Sequence, residues 1–148
     1  MKPVHIPACQ EITSASEPWK SLKEQIDFAR YISLKQSYVC IDSGRVAGFI
    51  IFTPEPVFAR GGYLRALGVA PGIRRKGIGE KLMTFAESKT AHRSHFFYLC
   101  VSSFNRKAQS FYKKRGYSKV GALPGLIMPG ATEFIYWKKL RNSSQKRG

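Results

Sequence analysis

One stretch constrains this chain more than any other: Leu67-Gly68-Val69-Ala70-Pro71-Gly72-Ile73-Arg74-Arg75-Lys76-Gly77-Ile78-Gly79. The residues leading into it, Tyr63 to Val69, are apolar and read as a strand. Those following it have helical spacing, with Ile78, Leu82, Phe85 and Ala86 at i, i+4, i+7 and i+8 forming one buried stripe that runs to about Lys89–His92. A strand that turns through Pro-Gly and restarts as a helix after two closely spaced glycines is suited to holding an anion. Glycine lets the backbone approach a ligand, and the first helical turn offers N–H donors without intrahelical partners and a partial positive charge. Arg74, Arg75 and Lys76 add three full charges at the same place. The spacing is too short for a Walker A loop, which also needs a metal-binding hydroxyl. It lacks the first glycine and the distal acid of the dinucleotide fingerprint.

The rest of the chain, at 148 residues, has room for a single domain with one core, residues 1–148, and no linker or internal repeat divides it. Residues 1–16 are expected to be a loose lead-in with at most a short edge strand, and 141–148 a frayed basic tail. Ser16-Glu17-Pro18-Trp19 reads as a helix start, with one or two helices as far as Ser33. Tyr38–Ile41 and Val46–Phe52 flank the turn signal Asp42-Ser43-Gly44-Arg45, and Pro54 and Pro56 are expected to break the second strand. His95–Val101 is a near-continuous apolar run, as in a strand buried on both faces and reached through a helical crossover. Asn105 then caps a helix that Gly116 stops. Tyr117–Val120 and Glu133–Leu140 are the last strands, separated by the loop Gly121–Gly130. Cys9, Cys40 and Cys100 include no Cys-x-x-Cys pair, so reduced thiols in a cytoplasmic protein are expected, with no metal. The N-terminus carries no apolar signal region and no run is long enough to span a bilayer, so no membrane partner is expected.

Arg74, Gly77 and Gly79 after Val69-Ala70-Pro71 form Arg-x-x-Gly-x-Gly, which resembles the pyrophosphate-binding segment of the GNAT superfamily of acetyl-CoA-dependent N-acyltransferases. A second segment is similar to the same family: Asn105, Ala108, Tyr112, Gly116 and Tyr117 stand at its Asn-x-x-Ala-x-x-x-Tyr-x-x-x-Gly-[Phe/Tyr] spacing. The resemblance covers roughly residues 17–140, and the family's usual first strand is short or absent here. It implies an α+β fold in three α/β/α layers, with a mixed, mostly antiparallel sheet whose central parallel pair splays apart.

The resemblance also implies site roles. The pantetheine arm of acetyl-CoA would pair with backbone at Leu67 and Val69, and the pyrophosphate would meet Arg75, Lys76, Gly77, Ile78 and Gly79, with Arg74 fixing the turn. An N–H near Val69 would serve the oxyanion, Tyr112 would protonate the departing thiolate, and Asn105 would either bind the cofactor arm or simply cap its helix. Gly68 marks either a bulge or a packing requirement. No carboxylate lies on the third strand, so the base falls to Glu133 or Glu55 acting through water, although each reads more often as a solvated surface acid. His5, His92 and His95 read as structural and Cys100 as packing. The function implied is direct acetyl transfer from acetyl-CoA to a primary amine of a small molecule or protein, with the apolar loop Leu123–Pro129 walling the acceptor site. The shortage of acids argues against a polycationic acceptor. Two other readings stand beside it. The missing base suits a non-catalytic acyl-CoA-binding or sensing module. The net charge of +16, with 25 Lys and Arg against 9 Asp and Glu, suits a protein associated with RNA or the ribosome. The acceptor, the acyl chain and the oligomeric state, with a homodimer as one candidate, are left open.

Overall fold

The computed structural model describes residues 1–73 and 76–141; Arg74, Arg75 and everything after Arg141, which is most of the expected basic tail, lie outside the described residues. After a 3-10 turn at Pro3–His5 come α1 (Ile6–Ser14), α2 (Trp19–Leu22), α3 (Phe28–Ser33), β1 (Ser37–Asp42), β2 (Arg45–Phe58) and β3 (Gly61–Val69). They are followed by α4 (Ile78–Ala91), β4 (Phe96–Ser102), α5 (Arg106–Lys114), β5 (Ser118–Pro124) and β6 (Thr132–Lys139). The strands hydrogen-bond in the order β1-β2-β3-β4-β6-β5, with β3 and β4 parallel and β1–β2, β4–β6 and β5–β6 antiparallel. This is the mixed sheet of the α+β class expected. The chain groups into two units, Met1–Phe52 with Arg65–Ala86 and Thr53–Leu64 with Glu87–Gly148, and the division falls inside β2, β3 and α4.

The first unit is organised by β2, whose residues Ala47–Phe52 are buried in an unbroken run. Alternate side chains of a strand point to opposite faces, so an unbroken run needs cover on both. On the odd-numbered face Phe49 and Ile51 pack with Cys9, Ile12, Trp19, Phe28 and Ala66; the Phe28 and Phe49 rings meet edge to face, their centroids 5.1 Å apart. On the even-numbered face Phe52 meets Tyr38 and Phe85, and Gly48 lies beneath Ile78 and Leu82 of α4.

Residues 6–14 are α1 and not a loose lead-in, because Cys9, Ile12 and Thr13 form a buried stripe that the neighbouring prolines obscure in the sequence. Burial of Cys9 pushes its thiol up to about 11, and it packs as a small apolar group. The helices expected through Ser33 are α2 and α3, the second capped by Asp27, whose Oδ1 accepts the Arg30 N–H at 3.0 Å. In α4, Ile78, Leu82 and Ala86 are buried as expected. Met83 is fully buried too, while Phe85 is 37% exposed and lies against the Tyr38 ring.

The prolines do not break β2, which continues to Phe58. Phe52 donates its N–H toward Gln36, on the side of β1, and N–H groups two residues apart point the same way. Pro54 and Pro56 therefore face that side too, past Ser37, where the β1 ladder to Ile51 begins, so no ladder donor is lost.

In the second unit, Gly61–Leu64 of β3 pair in parallel with Phe96–Leu99 of β4, and β4 pairs along its whole length with β6. Five of the seven residues of β4 are buried, as its continuous apolar run implies. The strand expected at Tyr117–Val120 instead runs Ser118–Pro124, so the first part of the expected loop is strand. A register shift between Lys119 and Gly121 absorbs one residue and lets Gly121–Pro124 continue the ladder.

Candidate active site

The turn between β3 and α4 is described except at Arg74 and Arg75. Ala70 at the end of β3 donates to the Ala47 carbonyl at 2.8 Å, Ile73 donates back to Ala70 at 3.4 Å, and Lys76 donates to Ile73 at 3.2 Å. Gly77 has φ +75°, and its carbonyl accepts the Lys81 N–H at 3.0 Å, opening α4. Open space surrounds the position a Cβ would take at Gly77, so glycine is needed there for its backbone angle and not for room. Gly77→Ala is therefore expected to lower stability by about 1 kcal/mol, a fall of roughly 2–4 °C in the thermal midpoint; an unchanged midpoint would show that the left-handed angle is dispensable. Lys76 is exposed, whereas Ile78 and Gly79 are buried, so at those two positions only backbone is on offer to a ligand. Arg74 and Arg75 lie outside the described residues.

Leu67 and Val69 stand half-buried on one face of β3. Between them Gly68 is a packing requirement: a Cβ there would come within 2.4 Å of the Phe49 ring and 3.0 Å of Ile12. A Cβ on Gly48 would likewise come within 2.7 Å of the Gly68 carbonyl. The ladder shows register shifts elsewhere, but this glycine is accounted for by close approach.

Leu67, Val69 and Lys76–Gly79 belong to the first unit; Asn105, Tyr112, Glu133 and Glu55 belong to the second. Asn105 caps α5, its Oδ1 accepting the Ala108 N–H at 3.3 Å. Two turns on, Tyr112 is buried, its ring 5.2 Å from Phe111 and 5.7 Å from Tyr117. Burial holds the phenol well above its ordinary range, against a smaller downward pull from Arg115, so the group keeps its proton at neutral pH.

The two candidate bases separate. Glu55 is exposed and lies 3.7 Å from Arg93. Glu133 is 4% exposed and accepts a 2.6 Å hydrogen bond from Ser102, the residue opposite it in the β4–β6 ladder. Glu133 was expected to be a solvated surface acid more often than a base; it is instead a buried carboxylate with a hydroxyl partner.

His5 accepts the Lys2 N–H, and His92 and His95 are exposed. No disulfide joins Cys9, Cys40 and Cys100, and no group of three or more metal-ligating side chains occurs among the described residues.

One cluster has no local signature in the sequence. Glu87 of α4 receives the Arg115 guanidinium at 3.0 Å, the Lys138 ammonium at 3.2 Å and the Tyr117 hydroxyl at 3.0 Å. The only trace in the sequence was Arg115 and Tyr117 inside the second motif, since a lone Glu on a helix reads as surface.

A model of the acetyltransferase (GNAT) family matches residues 6–117. The chain belongs to that family. Among GNAT relatives, the peptidyl-lysine N-acetyltransferase YiaC of Escherichia coli strain K12 is 30% identical over 87 residues, 59% of this chain; the match spans about half of that relative, 53%. Solved structures share the fold at lower identity. Ard1 from Thermoplasma volcanium aligns over 96% of this chain and 95% of its own with a TM-score of 0.80 at 23% identity. An aminoglycoside 6'-N-acetyltransferase complexed with coenzyme A aligns over 95% of this chain and 93% of its own with a TM-score of 0.73 at 19% identity.

Proposed function

We propose that this protein is an acetyl-CoA-dependent N-acetyltransferase that passes an acetyl group directly to a primary amine of a small molecule or protein, and that residues 1–148 act as one transferase domain in the cytoplasm. The observation that carries the reading is Tyr112: a buried phenol, protonated at neutral pH, at the tyrosine of the second GNAT motif. Family membership and the coenzyme A held by a fold relative support the donor.

In this reading the diphosphate lies against the amides of Lys76–Gly79, flanked by Arg74 and Arg75, and the pantetheine arm runs along Leu67 and Val69, with Asn105 contributing from the start of α5. The neutral amine nitrogen attacks the thioester carbonyl, the carbon–sulfur bond breaks, and the sulfur takes the Tyr112 proton. Glu133, acting through water, receives the proton the amine loses; its burial and its Ser102 partner favour it over Glu55. The relatives' names span lysine side chains and aminoglycosides as acceptors, so the acceptor is an amine whose class the chain itself must reveal.

The experiment is a panel of peptides with free N-termini, lysine peptides, aminoglycosides and simple amines, read as free thiol released from acetyl-CoA and by the mass of the product. Thiol release tied to a product 42 Da heavier for one amine class is the expected outcome. Tight coenzyme binding with no release for any amine would instead establish the sensing module.

A further inference from the structure

The charge of this protein is unevenly placed. The second unit carries fourteen Lys and Arg against three acids, Glu55, Glu87 and Glu133. All three acids are engaged: Glu55 with Arg93, Glu87 with Arg115 and Lys138, and Glu133 with Ser102. Three carboxylates cannot balance fourteen cations, so the unit carries a large excess of positive charge.

Several of them line one groove. An open cavity of about 580 Å³ runs along the outer flank of α5 to β6, lined among others by Arg106, Ser110, Lys113, Lys114 and Phe134, with no acid among its lining residues. Lys119 of β5 adds a fourth cation, its ammonium 3.5 Å from the centre of the Phe134 ring. Gln109 holds the near end by donating to the Ser102 and Ser103 carbonyls at 3.3 and 3.0 Å. Arg106, Ser110, Lys113 and Lys114 fall at i, i+4, i+7 and i+8 on one flank of the helix, and Tyr112 is turned inward from them. The groove's cations and Phe134 are none of the residues assigned to acetyl transfer, and the inference does not depend on that assignment.

We propose that this groove binds single-stranded nucleic acid. From Arg106 to Lys114 the helix rises about 12 Å, so the charges lie along a line that fits a chain of phosphates better than a single phosphate. The serine hydroxyl adds a donor for phosphate oxygens. A base can stack on the half-buried Phe134 ring when the Lys119 ammonium over its centre swings out to a phosphate.

The test is fluorescence anisotropy of the full chain with a labelled twelve-nucleotide oligouridylate across salt concentrations, beside a labelled polyglutamate peptide. Four cations engaged on a single strand predict a log–log salt slope near −3 and an affinity loss on the order of fifty-fold between 50 and 200 mM salt. The triple variant Arg106→Gln, Lys113→Gln, Lys114→Gln should flatten that slope by about 2. A control variant carrying Lys20→Gln, Arg30→Gln and Arg45→Gln, exposed cations of the first unit, should keep it. Phe134→Leu should weaken binding about ten-fold or more with the slope unchanged. Equal loss in the groove and control variants would reduce the effect to diffuse charge and overturn the proposal. So would an oligonucleotide that fails to bind, or a peptide that binds more tightly than it at matched salt. A thermal midpoint within a few degrees of the parent protein confirms that each variant is folded.

Discussion

Replacing Tyr112 by phenylalanine is expected to lower acetyl transfer by about 10²–10⁴-fold while leaving coenzyme binding nearly unchanged. The substitution removes one oxygen and keeps the ring that packs against Phe111 and Tyr117. With that packing kept, loss of one hydroxyl should change stability by no more than about 1 kcal/mol. A structural role alone would therefore predict almost no change, which makes the variant informative. The pH dependence has a definite sign as well. A phenol raised by burial stays protonated past its ordinary value of about 10, so Tyr112 should cause no alkaline loss of kcat between pH 7 and 10. Full turnover in the phenylalanine variant would assign the leaving-group proton to another donor or to water.

The largest expected effect on stability is at Glu87. Its carboxylate lies between Arg115 and Lys138 and accepts the Tyr117 hydroxyl, with the Glu87 and Arg115 side chains only 14% and 11% exposed. Removing the anion leaves two cations facing each other, largely shielded from water, and a buried phenol without its acceptor. Glu87→Ala should therefore cost about 3 kcal/mol, a fall of roughly 6–12 °C in thermal midpoint. Much of that is the penalty of stranded charge, so Arg115→Ala added to Glu87→Ala should cost less than the sum of the two single variants. Glu87→Gln, which keeps an acceptor for Tyr117, should fall between the parent and the alanine variant. Burial and the Glu87 charge together hold the Tyr117 phenol above its ordinary range. A drop of less than about 2 °C for Glu87→Ala would show that solvent screens the cluster far more than its exposure suggests.

Legibility in the sequence followed the range of the interactions. Local rules located the turn after β3, the crossover helix and the Asn105 cap, because hydrogen bonds within a few residues set them. α1 was missed because its stripe of Cys9, Ile12 and Thr13 is short and polar around its rim; burial against Phe49 and Trp19 makes it a helix. The prolines of β2 misled because their effect depends on which side of the strand has a neighbour, a matter of pairing with β1. Glu133 looked like a surface acid because its partner, Ser102, is 31 residues away.

By itself, then, the order of residues determined the family's two motifs, the helix and strand types, and the excess of positive charge, since each is a property of near neighbours or of composition. Only the tertiary structure decided that Glu133 is buried with Ser102, that Glu87 joins side chains from the residue capping α5, from β6 and from the residue before β5, and that four cations gather beside Phe134. Those outcomes rest on pairing between segments far apart in the chain, and local propensity carries no record of which segments will meet.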